Sequence, residues 1–394
     1  MHMHQRFVPS LPFFLRVGLF ELLFLTPLIF YGWATTFSMT KETFAEITSI
    51  GLFLFWIFIL NKEKSYPFLK SSFFLIPIIL FAFVLLLSTI WSNSLYASFL
   101  RLGVWGCFLL AYFLSLWVTE EEKWLSLLPM ALLISGFLAA GYGILQFYEI
   151  ELPIWKKVAG RMRLFSTFGN PNYLAGYLAA SLHLGLLFFF TKKRWKFLWL
   201  VIIATLYTSL LLTHTRGAWA AFLLSSIFVL ILILIYKGKK FFRTNKTPIF
   251  TLTAIILIIT VIFSFPNPLN LKKAAVIERG VSAVEFRNSA SQRILIWKVA
   301  FELIKEKPFL GWGIGTFGIH YPLAQGALLS RKENKEFIPK ANRSIYAHND
   351  YLQIWVETGI LGLSLFLWII VSFYKKTLSI LKNNSSDEEY LNLY

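Results

Sequence analysis

Residues 341–363, ANRSIYAHNDYLQIWVETGILGL, set His348, Asn349 and Asp350 at the mouth of an apolar helix-forming run. A neutral imidazole, with a pKa near 6.5, can take a proton from a hydroxyl nucleophile; arginine stays protonated at any working pH and cannot. Arginine instead clamps phosphate oxygens bidentately and stabilises charge growing on a leaving oxygen. Three arginines fit that part. Arg216 lies in THTRGAW, between two apolar runs joined by almost no loop, where the amides opening the next helix would add to an anion site. Arg293 stands in SQRILIWKVA, and Arg163 leads into LFSTFGNPNYLAGYL. One base with several fixed cations suits displacement of a pyrophosphate leaving group by a hydroxyl.

Plainer accounts compete at each position. An arginine at a membrane edge can snorkel to the interface, and one on an amphipathic helix can be a solvated face residue. Arg161, beside Arg163, fits a lipid-headgroup contact. Gly169, Asn170, Pro171 and Asn172 make a tight turn, from which Asn172 can cap the following helix. The functional account turns Arg163 and that helix N-terminus toward the same outer cavity as Arg216. His183, His214 and His320 are most simply polar packing or interface residues, and His2 and His4 are terminal.

Metal and cofactor chemistry find little support. The chain has two aspartates, Asp350 and Asp387, and no outer cluster of carboxylates at metal-ligand spacing. Glu42 and Glu46, one helical turn apart, read as a solvated face. No phosphate-binding glycine loop or dinucleotide fingerprint occurs, so no cofactor is expected and the substrate must bring its own activation. The one cysteine, Cys107, falls within an apolar run and supports neither a disulfide framework nor a thiolate metal site.

The elements that must position these residues are membrane helices. Of 394 residues, 57% are hydrophobic and 15% charged, with 41 Phe and 14 Trp, which excludes an ordinary soluble domain. Runs of about 18 or more apolar residues can cross roughly 30 Å of hydrocarbon. The expected fold is all-α, a polytopic helical membrane protein with spans at 12–32, 44–60, 72–91, 97–118, 124–147, 172–190, 196–213, 217–236, 248–265 and 351–374. The first run lacks a small-residue cleavage pattern and reads as a span, not a signal peptide.

With a cytoplasmic N-terminus, NKEKSYPFLK, TEEEKW, TKKRWK, YKGKKFFRTNK and the tail KKTLSILK all fall inside, as the positive-inside rule requires. Two segments on the other side remain basic: 148–172, and 266–350 with 13 Lys or Arg against seven acidic residues. Long translocated loops escape that rule, and the excess fits an anionic ligand at the outer face. The net charge of +18 is therefore read as topology plus that face, with membrane lipids as partners and no nucleic acid. The expected organisation is a nine-span bundle over 1–265, an outer loop over 266–350, and a last span with its tail over 351–394.

Within the loop, Ser291 can cap a helix whose face runs through Ile294, Trp297, Phe301 and Ile304 and which stops near Pro308. That face is expected on the membrane surface or the span bundle. The following GWGIGTFG must turn. A continuous helix from His348 to Tyr374 would measure about 40 Å, more than the hydrocarbon thickness. His348 is thus expected on its first turns above the bilayer core, with a break at Thr358-Gly359.

In order, TFGNPNYLAGYL, THTRGAW, SQRILIWKVAFELIKEKPFLGWGIGTF and AHNDYLQIWVETGILGL resemble the O-antigen ligase superfamily, which also contains polymerases and oligosaccharyltransferases. The resemblance implies a GT-C-type glycosyltransferase of the bacterial inner membrane, active on the periplasmic face without a metal. It would move a glycan from undecaprenyl pyrophosphate to an acceptor hydroxyl with inversion, the acceptor being lipid A core or another glycan. By motif, Arg216 and Arg293 would hold the pyrophosphate and His348 would activate the acceptor. Arg163, Asn170 and Asn172 match further family positions, and Asn349 and Asp350 follow the histidine in its motif. Such ligases usually carry more spans after the histidine-bearing helix, so either this member is short or the sequence stops before its last spans.

The same chemistry with another acceptor would give an O-antigen polymerase, an exopolysaccharide ligase or a protein O-oligosaccharyltransferase. A reading of another class is an inorganic anion transporter, a role attached to some members of the superfamily. Ion pathways leave ionisable groups deep in spans. Here the span interiors are read as holding little beyond Glu21 and His183, with the cations at the outer edge, which favours the enzyme. A scaffold whose basic loop only touches anionic lipid or polysaccharide is the blandest reading, and it requires His348→Ala to be silent.

Overall fold

A computed structural model of the chain describes residues 11–31, 37–63, 74–118, 122–151, 163–192, 194–270 and 283–384. Among them the secondary structure is helical, without strands. The helices are α1 (Leu11–Leu25), α2 (Phe37–Glu63), α3 (Leu75–Leu87), α4 (Leu95–Val118), α5 (Glu122–Phe147), α6 (Pro171–Thr191), α7 (Lys196–Leu212), α8 (Arg216–Thr244), α9 (Lys246–Ile262), α10 (Ala283–Glu306), α11 (Phe317–Leu329) and α12 (Asp350–Asn384). Short 3-10 segments occupy Ser166–Phe168 and Lys332–Lys340. Six helices, α2, α4, α5, α6, α8 and α12, are long and apolar enough to cross a membrane, and α3, α7 and α9 are shorter apolar helices.

α1 stops at Leu25, short of the expected reach to residue 32. Pro27 has no amide hydrogen and disfavours the helical conformation of Thr26 before it. The carbonyls of Thr26, Pro27 and Ile29 instead accept hydrogen bonds from Lys41 Nζ at 3.0, 2.6 and 2.7 Å.

The chain divides into two compact units: Met1–Ser65 with Leu114–Val281 and Leu381–Tyr394, and Tyr66–Phe113 with Ser282–Ile380. In the first, α5, α6 and α7 pack on one another, with α1 against α5 and α9 against α7. Leu174, Leu178 and Leu182 recur every fourth residue on α6, as do Ile202, Leu206 and Leu210 on α7, so each helix buries one stripe. α8 buries none of its residues although most of its length is apolar, the character of a lipid-facing span. It breaks at Gly238, φ 60° and ψ −163°, inside the basic run that follows Tyr236.

In the second unit, α10, α11 and the Lys332–Lys340 segment pack together. Leu295, Ile296, Val299, Ala300, Leu303 and Ile304 of α10 are buried with Phe317, Tyr321 and Leu328 of α11 and with Phe337. A fully buried Leu in such a core contributes about 1.5–3 kcal/mol relative to exposure in water. Two expectations change here. α10 begins at Ala283, so Ser291 lies inside the helix rather than capping it. The buried stripe is also rotated from the expected one: Ile294 is 43% exposed and Phe301 46%. Apolar residues cover both sides of α10: the buried side packs on α11 and on Leu352 and Val356 of α12, one of the expected spans, while Ile294 and Phe301 stay on the exposed side.

A second core joins Phe81 and Leu85 of α3 to Ile314, Ile354 and Leu363. Between α10 and α11 the chain turns through Gly311, Gly313 and Gly315, with φ of 72°, 101° and 78°. This turn seats against a break in α12 at Gly359, where φ is 68° and ψ −171°. The Trp312 and Gly313 amides donate to the carbonyls of Val356 and Glu357 at 2.8 and 2.9 Å, and the Ile360 amide donates to Pro308 at 2.9 Å. Backbone groups released by the break are thereby satisfied.

Candidate active-site residues

In the first unit, Arg163 is gripped by the corner that leads into α8. Its Nε donates to the Thr213 carbonyl at 3.0 Å, and its Nη2 to Asn172 Oδ1 and Thr215 Oγ1, each at 2.9 Å. The Leu164 amide donates to the Leu212 carbonyl at 3.2 Å, laying this segment beside the end of α7. Arg216 follows Thr215 as the first residue of α8 and is half-buried. The corner passes through His214, whose φ of 50° lets two helices meet with almost no loop. Arg163 and Asn172 are thus brought to the Thr213–Thr215 corner from which Arg216 projects. Arg161 lies outside the described residues.

Asn170, not Asn172, caps α6. Its Oδ1 accepts the Asn172 amide at 2.8 Å, with Pro171 at the first helical position. Gly169, at φ 63°, makes the turn before it. The side chain of Asn172 is left to hold Arg163, a role the capping account did not foresee.

In the second unit, His348 stands in the turn before α12 with φ of 52°, not on the first turns of the helix as expected. Asn349 is the cap: its Oδ1 accepts the amides of Tyr351 and Leu352 at 3.0 and 3.2 Å. Asp350 opens the helix, placing a carboxylate at the positive end of its dipole. Both residues are accounted for by starting α12 immediately after the histidine. His348 is exposed, and the packing that covers part of it, and then the charge of Arg293 on α10, lower its pKa from the ordinary 6.5. The neutral, proton-accepting imidazole is favoured. Trp297, one turn past Arg293, donates its indole N–H to the Ala347 carbonyl at 3.1 Å and so ties α10 to the histidine turn.

Two ionisable side chains correct the expectation of nearly empty span interiors. Glu357, 2% exposed on α12, accepts the amides of Gly315 and Phe317 at 2.9 and 3.4 Å and the side-chain amide of Gln353. Arg101 on α4 lies 5.5 Å over the Tyr346 ring, and its charge acts on Glu357. The signal was available: Asn349, Gln353 and Glu357 recur every fourth residue, a polar stripe down an apolar helix. His183 meets the polar-packing expectation, with Nδ1 2.8 Å from the Ala179 carbonyl and Nε2 3.1 Å from Ser225 Oγ. Among the described residues, no group of three or more His, Cys, Asp or Glu side chains could hold a metal ion.

Residues 201–367 match the family model described as O-antigen ligase. That stretch contains Arg216, Arg293 and His348, and the matching model is that of the family the four motifs resemble. A general O-oligosaccharyltransferase of Acinetobacter baylyi is 26% identical over 375 residues, 90% of this chain and 60% of that relative. A Rickettsia conorii protein provisionally named a polysaccharide ligase is 34% identical over 97 residues, 25% of this chain and 22% of its own. An uncharacterized Haemophilus influenzae protein is 29% identical over 198 residues, 47% of this chain and 45% of its own. The chain therefore spans less than two thirds of the length of each of these relatives. No solved structure is significantly similar.

Proposed function

We propose that this chain is a metal-independent glycosyltransferase of the GT-C type in the bacterial inner membrane. It moves a glycan from undecaprenyl pyrophosphate to an acceptor hydroxyl on the periplasmic face, with lipid A core as the acceptor. The observation that carries this reading is the placement of His348, an exposed imidazole in the turn before α12 that Trp297 ties to the Arg293-bearing helix, with its pKa lowered by partial burial and then by the Arg293 charge. His348 takes the acceptor O–H proton as the acceptor oxygen bonds to the anomeric carbon. The bond from that carbon to the pyrophosphate oxygen breaks, and the electron pair leaves with the pyrophosphate. Arg216 and Arg293, with Arg163, hold that group and stabilise the charge it gains. Asn172 supports Arg163, while Asn170, Asn349 and Asp350 set the helix starts that present the site residues. The loop over 266–350 belongs to the periplasmic side, where its basic excess suits an anionic donor.

A second reading, transfer to a protein hydroxyl, is favoured by one finding. The alignment with the general O-oligosaccharyltransferase runs along 90% of this chain, whereas the polysaccharide-ligase alignment covers 25%.

The test gives purified protein an undecaprenyl-pyrophosphate-linked glycan with lipid A core or with an unglycosylated serine-bearing protein, and reads the products by mass spectrometry. Glycosylated core supports the first reading and glycosylated protein the second. Elongated carrier-linked glycan would identify a polymerase. No transfer to any of them by folded protein would overturn the glycosyltransferase reading.

A further inference from the structure

His348 holds a left-handed backbone, φ 52°, without being glycine. Such a conformation costs on the order of 1–3 kcal/mol and persists only where the surroundings enforce it. The enforcing groups lie on α12. Gln353 Oε1 accepts the Ala347 amide at 2.6 Å, one residue before the histidine. The Gln353 side-chain nitrogen donates to Glu357 Oε1, one turn further on. The other carboxylate oxygen of Glu357 accepts the Gly315 amide at 2.9 Å. Gln353 is 8% exposed and Glu357 2%, so water cannot take the place of these partners.

The orientation of the Gln353 amide follows from this arrangement. Its oxygen must face the Ala347 N–H and its nitrogen must face the carboxylate. Stability alone does not require a polar pair here, because apolar groups of matching shape often replace buried polar ones at little cost. What an apolar pair cannot do is hold the Ala347 amide in one orientation while reaching the Gly315 turn.

We infer that Gln353 and Glu357 are positioning residues, which link the glycine turn at Gly315 to the Ala347 amide and so fix the direction in which the His348 imidazole points. The inference rests on the reading of His348 as the base. Asn349 completes the same stripe by capping the helix, so three polar side chains at four-residue spacing serve one turn of chain.

The test compares wild type with Gln353→Leu and with the exchanged pair Gln353→Glu together with Glu357→Gln. The exchange restores the three bonds from Ala347 to Gly315 and gives up only the long 3.4 Å bond from the Phe317 amide: a carboxylate accepts the Ala347 amide, and an amide both donates to it and accepts from Gly315. Gln353→Leu is expected to lower kcat about tenfold or more, with KM for donor and acceptor changing less than about twofold, since misplacement of a reacting group acts on the chemical step. The exchanged pair is expected to recover to within about threefold of wild type, a residual barrier under 1 kcal/mol. A loss of kcat that the exchange does not restore, or Gln353→Leu at wild-type kcat, would overturn the inference.

A second readout does not need turnover. The titration of His348, followed by NMR on histidine-labelled protein, is expected to shift in Gln353→Leu and to return in the exchanged pair; an unchanged titration would contradict the inference even if no acceptor is glycosylated. Wild-type protein that transfers nothing, with a His348 titration that does respond to Gln353, would refute the transferase reading and leave the positioning role standing.

Discussion

The indole N–H of Trp297 donates to the carbonyl of Ala347 at 3.1 Å, joining α10 one turn past Arg293 to the residue before His348. Within the second unit this bond ties the proposed base to a proposed cation. Trp297→Phe keeps an aromatic ring and deletes the donor. A single hydrogen bond contributes about 0.5–1.5 kcal/mol net, so the variant should still fold. Its initial transfer rate is expected to fall about tenfold, as for a misplaced catalytic group, while the melting temperature in detergent moves by only a few degrees. Parallel rate and melting measurements check this.

Burial and the Arg293 charge both lower the pKa of His348. The imidazole therefore stays neutral to a lower pH than an ordinary histidine, and protonation removes the base only below that point. The acidic limb of the kcat/KM profile is expected below the ordinary histidine value of about 6.5. Arg293→Gln removes one of the two causes, so the limb should move to higher pH. The plateau should fall as well, because the pyrophosphate loses a cation. Profiles between about pH 5 and 8 decide the matter, and coincident limbs would contradict the coupling.

A Cβ on Gly359 would lie 2.0 Å from the Phe309 carbonyl oxygen, at a φ of 68°. The left-handed backbone alone costs a non-glycine residue roughly 1–3 kcal/mol, and the clash adds to it. Gly359→Ala is expected to melt well below wild type or fail to accumulate. Gly326→Ala, whose Cβ meets nothing within 4 Å inside α11, should match or exceed wild type. Thermal unfolding of the two variants provides the comparison.

Arg163→Lys keeps the charge but cannot reproduce donation from Nε to Thr213 together with donation from Nη2 to Asn172 and Thr215. Its kcat/KM is expected to fall about tenfold or more, as for a charge displaced from its fixed position. Asn170→Ala should instead lower stability by about 1 kcal/mol through loss of the α6 cap. Steady-state kinetics and denaturation separate these effects.

Much of this was legible in sequence, and the residues show why. Apolar length placed a helix within each expected span, and Thr358-Gly359 marked the α12 break because glycine there reaches a backbone conformation closed to other residues. The face of α10 was not legible, since Ile294 and Phe301 make as good an apolar stripe as Leu295 and Leu303 until α11 covers one of them. The cap of α6 was misplaced by two residues, because Asn170 and Asn172 flank Pro171 and both types can cap. The proposed site residues Arg163, Arg216, Arg293 and His348 stand out in the sequence by charge and motif, whereas their structural neighbours do not. Trp297 looked like one more apolar residue, and its indole donor acts only once Ala347 is brought beside it. Arg101 and Glu357 do not stand out by apolar length, because a single charge leaves each run long and apolar enough to span.

The account turns on His348, and the most direct measurement is single-turnover transfer by wild type and His348→Ala, each shown to be folded by its melting temperature. Loss of the base is expected to slow transfer by about 100-fold or more, as for removal of a general base, with donor binding retained. Transfer by His348→Ala at the wild-type rate would contradict the account and leave the basic loop as no more than a polyanion-binding surface.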